Sequence, residues 1–200
     1  MTAAEHALAA RADTRAVLLV EGISDRIALE TLASRRGRNL PAEGVVVVPI
    51  GGAQAIARYL NLYGPRGLDL TVGGLCDSGE ERDFRRGLER GGLGAEITRE
   101  DMEALGFYVC DADLEDELIR ALGSGTVERV VSANGDLKPF RTLQKQPEWR
   151  DRPTNEQLRR FMGSGGRRKI RYARFLVEAL ELTRVPRPLD LVLKNLQPMS

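Results

Sequence analysis

Four short, mainly apolar runs punctuate the first half of the chain, and each is followed at once by a glycine or an acidic residue. The runs cover residues 16–20, 45–50, 68–76 and 107–110. Strands that are buried on both faces read as continuous apolar runs, whereas half-exposed strands alternate apolar and polar residues. We therefore predict four β-strands, each covered by other elements on both sides.

Segments of helical periodicity separate these strands. Ser24 is placed to cap the first helix, and further helices are predicted at about 53–62, 81–90 and 114–122. Strands that alternate with helices form βαβ units, so we predict an α/β fold with a Rossmann-like, mostly parallel sheet flanked by helices. After Gly125 only helical patterns remain, at 127–133, 155–161, 169–182 and 189–196. The predicted division is an N-terminal segment 1–14, an α/β core 15–123 and a basic helical extension 124–200.

Composition narrows the class of protein. Hydrophobic residues make up 42% of the chain and charged residues 30%, which is typical of a globular protein in water. A membrane-spanning helix needs roughly 18 consecutive apolar residues, far more than any run here contains. Residues 1–14 carry Glu5, Arg11 and Asp13 where a secretory signal would be apolar. We therefore expect a cytoplasmic protein with no membrane contact.

The overall net charge of +1 conceals two unlike halves. Residues 1–122 contain 14 Lys and Arg against 21 Asp and Glu, whereas residues 123–200 contain 16 against 8. An acidic front half suggests carboxylates that bind cations, and a basic back half suggests a surface that binds a polyanion.

Acidic residues stand at the ends of three predicted strands. Glu21 and then Asp25 follow the first strand, Asp77 follows the third, and residues 111–115 after the fourth strand include three more acids. Ligands of parallel α/β sheets bind beyond the carboxyl ends of the strands, where these side chains should meet. A cluster of carboxylates without His or Cys favours Mg²⁺ or Mn²⁺.

The segment Leu18-Leu19-Val20-Glu21-Gly22-Ile23-Ser24-Asp25 resembles the opening motif of the TOPRIM domain, which topoisomerases, bacterial primases and several nucleases share. Gly74–Gly79 stands where the second TOPRIM motif, Asp-x-Asp, would fall. The ordered set that also includes 113–118, 168–174 and Val185-Pro186 is most similar to the TOPRIM nuclease domain of the overcoming-lysogenisation-defect (OLD) family of endonucleases. The resemblance runs from about residue 16 to residue 193.

This resemblance implies a metal-dependent nuclease domain that uses one or two Mg²⁺ or Mn²⁺ ions. By matching position, Glu21, Asp25, Asp77 and Glu115 would be metal ligands, and Lys169 would be a catalytic lysine beside a catalytic Glu21. No Gly-x-x-x-x-Gly-Lys-Ser/Thr loop occurs in the sequence, so we expect no ATP hydrolysis and no ATPase domain of the kind found in OLD endonucleases.

One position departs from the family pattern. Gly79 replaces the second acid of Asp-x-Asp, and Glu80 and Glu81 follow it. Three interpretations stay open at this stage: Glu80 or Glu81 supplies the missing oxygen, a metal binds weakly through water, or the site is degenerate.

The basic extension is the predicted nucleic-acid contact, with DNA favoured as the partner. The arginines expected to bind phosphates are Arg159, Arg160, Arg167, Arg168 and Arg171. Two other hypotheses compete with the nuclease: a non-catalytic module that binds nucleic acid or a separately encoded ATPase, and a phosphotransfer enzyme or phosphatase acting on a small substrate. The second would need a closed pocket rather than an open basic face.

Overall fold

A four-stranded, fully parallel sheet forms the centre of the molecule in a computed structural model that describes residues 13–196. The strands are β1 (Ala16–Val20), β2 (Val45–Pro49), β3 (Thr71–Asp77) and β4 (Phe107–Cys110), in the order β2-β1-β3-β4. The α/β prediction is confirmed. The predicted N-terminal segment 1–14 lies almost entirely outside the described residues, and so do residues 197–200.

Helices cover the sheet and build the rest of the described chain. They are α1 (Ile23–Arg35), α2 (Ile56–Tyr63), α3 (Glu81–Arg90), α4 (Arg99–Ala104), α5 (Leu114–Leu122), α6 (Ser124–Ala133), α7 (Leu137–Gln144), α8 (Thr154–Gly163), α9 (Gly166–Ala179) and α10 (Arg187–Lys194). Short 3₁₀ turns cover Ala53–Ala55, Ser78–Glu80 and Leu182–Arg184. None of the helices in the described part is both long and apolar enough to cross a membrane.

The two faces of the sheet bury two separate apolar cores, because successive residues of a strand point to opposite sides. In β1, Leu18 and Val20 pack with α1 and with the helices after α5, whereas Val17 and Leu19 pack with α2, α3 and α4. Phe161 and Tyr172, on α8 and α9, lie in the same core as Leu18. The helical extension thus shares a core with one face of the sheet.

Several features differ from the sequence prediction. The third strand, predicted at 68–76, runs from Thr71 to Asp77. Ser24 does not cap α1: it is buried in the first turn, and the Asp25 carboxylate accepts the N–H of the capping residue Gly22 at 2.8 Å. Helices α4 and α7 were not predicted, because each is short and buries a single residue, Met102 in α4 and Phe140 in α7. A six-residue helix with one buried residue has too little apolar periodicity to identify it.

Candidate metal and phosphate site

Glu21 and Asp77 meet at the carboxyl edge of the sheet. Strands β1 and β3 are neighbours in register, with Val20 opposite Leu75, so the residues that follow them lie side by side. The backbone N–H of Asp77 donates to Glu21 Oε1 at 2.8 Å. Burial raises the pKa of Glu21 to about 8, with the Asp77 and Glu80 carboxyls adding to the effect against that hydrogen bond. Burial likewise raises the pKa of Asp77 to about 7, helped by Asp25 and Asp113.

Asp25 faces the same place from the first turn of α1. It is 8% exposed, and its carboxylate is held by the Gly22 N–H. Burial raises its pKa, while that hydrogen bond and the charge of Lys169 oppose the rise. The Glu-Gly-x-x-Asp spacing therefore places the two acids on one turn, so that both reach the sheet edge.

Glu115 and Lys169 form an ion pair between α5 and α9. Lys169 Nζ lies 3.2 Å from Glu115 Oε2, and Glu115 is only 3% exposed. Burial raises the pKa of Glu115 to about 7 despite the lysine. Burial alone would lower the pKa of Lys169, but the charges of Glu115, Asp25 and Asp77 outweigh it and raise that pKa. Lys169 is thus an ammonium ion aimed at the acidic cluster.

Asp113 also belongs to this cluster, although the sequence analysis did not place it among the metal ligands. Its Oδ1 caps α5 by accepting the Asp116 N–H at 2.8 Å, and its Oδ2 accepts Arg159 Nε at 2.7 Å. Its charge contributes to raising the pKa values of Asp25, Asp77 and Glu115. The clue in the sequence is an Asp two residues before Glu115, at the N-cap of a predicted helix.

The side chains of the two acidic residues after Gly79 point in different directions. The Glu80 carboxyl lies beside Glu21, and its Oε2 accepts the Ala53 N–H at 3.2 Å. Glu81 instead pairs with Arg99. Of the two residues proposed to replace the missing acid, the structure therefore brings Glu80 to the cluster and turns Glu81 away. A Cβ built on Gly79 would meet no heavy atom within 4 Å, so this position has open space.

The donor chemistry fits a hard divalent cation, although the side chains do not converge as a finished site. Glu115 Oε1 is buried and has no hydrogen-bond partner in the part of the chain that the structure describes. Several carboxylates with raised pKa values repel one another, which a cation would relieve. Within residues 13–196, however, no group of three or more His, Cys, Asp or Glu side chains is arranged to hold a metal ion. A metal would therefore have to draw these oxygens together.

The predicted phosphate-binding arginines are dispersed among internal contacts. Arg159 pairs with Asp113, Arg171 pairs with Asp136, and Arg160 lies 5.8 Å from the centre of the Trp149 ring. Arg168 stacks 4.3 Å over Phe161 and donates to Ser164 Oγ at 2.7 Å. Arg167 is exposed, and it alone of the five has no side-chain partner among the described residues.

Comparisons with known proteins support the resemblance predicted from the motifs. Residues 14–78 match the sequence family described as "Overcoming lysogenization defect protein-like, TOPRIM domain". The C-terminal region of the Xanthomonas campestris pv. campestris OLD protein has a similar structure, with a TM-score of 0.72 and 24% identity over 92% of each chain. The C-terminal region of the Burkholderia pseudomallei OLD protein has a TM-score of 0.67 and 24% identity over 92% of this chain and 96% of its own. No curated protein sequence matches the chain. The TOPRIM fold is therefore confirmed.

Proposed function

We propose that this protein is a metal-dependent endonuclease or nickase that cleaves phosphodiester bonds in nucleic acid, with DNA favoured. One observation carries the proposal: at the carboxyl edge of the sheet Asp77 donates its backbone N–H to Glu21, and its carboxyl is near enough to feel the charges of Asp25, Glu115 and Lys169. Such a cluster is costly in the absence of cations. It matches the charge pattern that binds a divalent metal and a phosphate together.

The metal ligands we propose are Glu21, Asp25, Asp77 and Glu115. Glu80 would supply the carboxylate oxygen that Gly79 lacks. Their oxygens suit Mg²⁺ or Mn²⁺, which bind carboxylates and keep several waters. When bound, one or two such ions would activate a water and stabilise the leaving oxygen in an in-line displacement at phosphorus.

Two residues contribute to the chemistry in this proposal. Lys169 offsets the negative charge that develops on the phosphate, because its charged form is stabilised by the acids around it. Glu21 stands at the end of β1, half-buried, where it can accept a proton as well as bind metal. ATP has no part in this reaction.

The proposed reaction also indicates which partners the protein has. Nucleic acid is the proposed substrate, and a separately encoded ATPase is a further proposed partner. The solved relatives are C-terminal regions of OLD proteins, which supports a domain that works with other domains.

A second candidate function is a non-catalytic module that binds nucleic acid or an ATPase. It is favoured by Gly79 in place of an acid and by the lack of a preformed group of three ligands among residues 13–196. The two functions differ in one respect that is easy to measure: the module would not cut its ligand.

The test is the nicking of supercoiled plasmid by the wild type and by Gly79→Asp, in Mg²⁺, in Mn²⁺ and in EDTA. We expect nicking with either metal and none in EDTA. Gly79→Asp should fold normally, because its Cβ has free space and the Gly79 backbone is not left-handed. It should raise the rate at limiting Mg²⁺ by about tenfold, since an added carboxylate strengthens metal binding.

The matched control is Gly79→Asn, which has the same size without the charge and should leave the rate near that of the wild type. Absence of nicking with both metals, for the wild type and for Gly79→Asp, contradicts the nuclease proposal and favours the binding module.

A further inference from the structure

Helix α3 carries a row of exposed arginines on the face that points away from the core. Arg82, Arg86 and Arg90 are four residues apart, and all three are exposed. Residues at this spacing lie one above another on a helix, separated by about 6 Å. We call these three residues the α3 arginine row.

Among the residues that the structure describes, the α3 arginine row has no ion-pair partner. None of its three side chains forms an ion pair or a hydrogen bond with any residue between 13 and 196. The acids of the same helix are directed elsewhere: Glu81 pairs with Arg99, and Glu89 Oε1 accepts the Ile97 N–H at 3.1 Å. Asp83 lies between Arg82 and Arg86 in sequence but pairs with neither.

The basic extension presents the opposite situation. Nine of its sixteen cations form ion pairs within the described chain, so more than half of its positive charge already has a partner. The paired residues are Arg141, Arg150, Arg152, Arg159, Lys169, Arg171, Arg174, Arg187 and Lys194. A surface that attracts a polyanion needs uncompensated charge. The cations of the extension without an ion pair in the described chain are spread over several helices and turns, whereas the row on α3 sets three unpaired arginines on one face of one helix.

Helix α3 is also a rigid support for this row. Phe84 and Leu88 are fully buried on its inner face. Gly87 allows close contact with α2: a Cβ there would lie 2.0 Å from Ile56 Cγ2. The arginines therefore project from a helix whose position is fixed by the core.

The row begins shortly after the acidic cluster along the chain. Asp77 ends β3, the turn Ser78–Glu80 follows, and α3 starts at Glu81, so Arg82 is five positions after Asp77. We propose that the α3 arginine row binds the phosphodiester backbone of the nucleic acid next to the scissile bond, so that the strand approaches the site across α3. This inference rests on the proposed function, because it supplies the path of that substrate.

The experiment measures binding of a short fluorescein-labelled DNA duplex by anisotropy, in EDTA so that cleavage is prevented. We expect Arg82→Gln/Arg86→Gln to raise Kd at least about tenfold near physiological salt. The slope of log K against log salt should fall by about 1.8 in magnitude, because each lost phosphate contact removes roughly 0.9.

The matched control is Arg129→Gln/Arg174→Gln, which removes two exposed helical arginines and the same net charge. It should change Kd less than about twofold. Equal effects of the two double variants on Kd and slope, or the absence of duplex binding by the wild type, overturn the inference. If the α3 variant alone loses binding while no plasmid is nicked, the inference stands and the nuclease proposal fails. If plasmid is nicked and the α3 variant binds and nicks as the wild type does, the nuclease proposal stands and the inference about α3 fails.

Discussion

Glu21→Gln should reduce metal-dependent nicking by at least about a thousandfold, a loss of roughly 4 kcal/mol in transition-state stabilisation. Glutamine keeps the size of the side chain and an oxygen that can still accept the Asp77 N–H, so the local hydrogen bond at 2.8 Å can survive. What is lost is a negative charge and a proton acceptor at the point where β1 and β3 meet. The measurement is the initial rate at which supercoiled plasmid becomes open circular, with thermal unfolding as the check on folding.

Glu30→Gln is the control for this variant. Glu30 is an exposed carboxylate on α1 that lies 3.8 Å from Arg26 and outside the acidic cluster, so its neutralisation should leave the rate unchanged. A Glu21→Gln protein that keeps more than about a tenth of the wild-type rate contradicts the assignment of Glu21.

Lys169→Met should reduce the rate of cleavage by on the order of 10²–10³, the usual effect of removing one group that stabilises developing charge. Methionine approximates the length of lysine and its aliphatic stem but has no charge. Substrate binding should change much less than the rate, because Lys169 is a single cation held against Glu115 at 3.2 Å rather than part of the exposed arginine row. Single-turnover rates at saturating enzyme separate the two effects.

Lys138→Met, on the exposed face of α7, tests whether the loss of any lysine produces the same effect. It should retain the wild-type rate. If Lys169→Met cleaves as fast as Lys138→Met, the ion pair with Glu115 has a purely structural role.

The sequence identified β1, β2 and β4 because they are almost entirely buried and apolar, as in Ala16–Val20. The start of β3 was predicted three residues too early, because its exposed Thr71 and its glycines weaken the apolar pattern. The end of β1 and the end of β3 were correctly predicted to lie at one edge. That Glu21 and Asp77 are in contact could not be derived, because it depends on β3 pairing directly with β1 instead of β2. Helix α4 carries a local signature, Thr98 and Asp101 in a capping box, but too few apolar residues to be recognised.

The contact between Lys169 and Glu115 could not be predicted from the sequence for a different reason. Lys169 is 54 residues beyond Glu115 and reaches the site only because α9 packs against α1 and α5. No periodicity predicts such a contact, so its assignment depended on the resemblance to a family. Asp113 was predicted at the same sheet edge but not as a ligand, since an N-cap aspartate and a ligand-bearing aspartate look the same in sequence.

The net charges of the two halves do not show where unpaired positive charge lies on the surface. The excess of basic residues after residue 122 is real, but ion pairs such as Arg171 with Asp136 neutralise much of it. The exposed arginines of α3 lie in the half whose net charge is negative. Ion pairing depends on the fold, so net charge alone could not show which cations have no partner.

Direct metal binding tests the central claim without depending on the choice of substrate. Calorimetric titration of Mn²⁺ into the wild type and into Glu21→Gln compares one binding event in two proteins that differ by a single ionisable carboxyl group. We expect saturable binding by the wild type and an affinity at least about tenfold lower for Glu21→Gln. Equal affinities in the two proteins, or no binding by the wild type, would contradict a metal site at the carboxyl edge of this sheet.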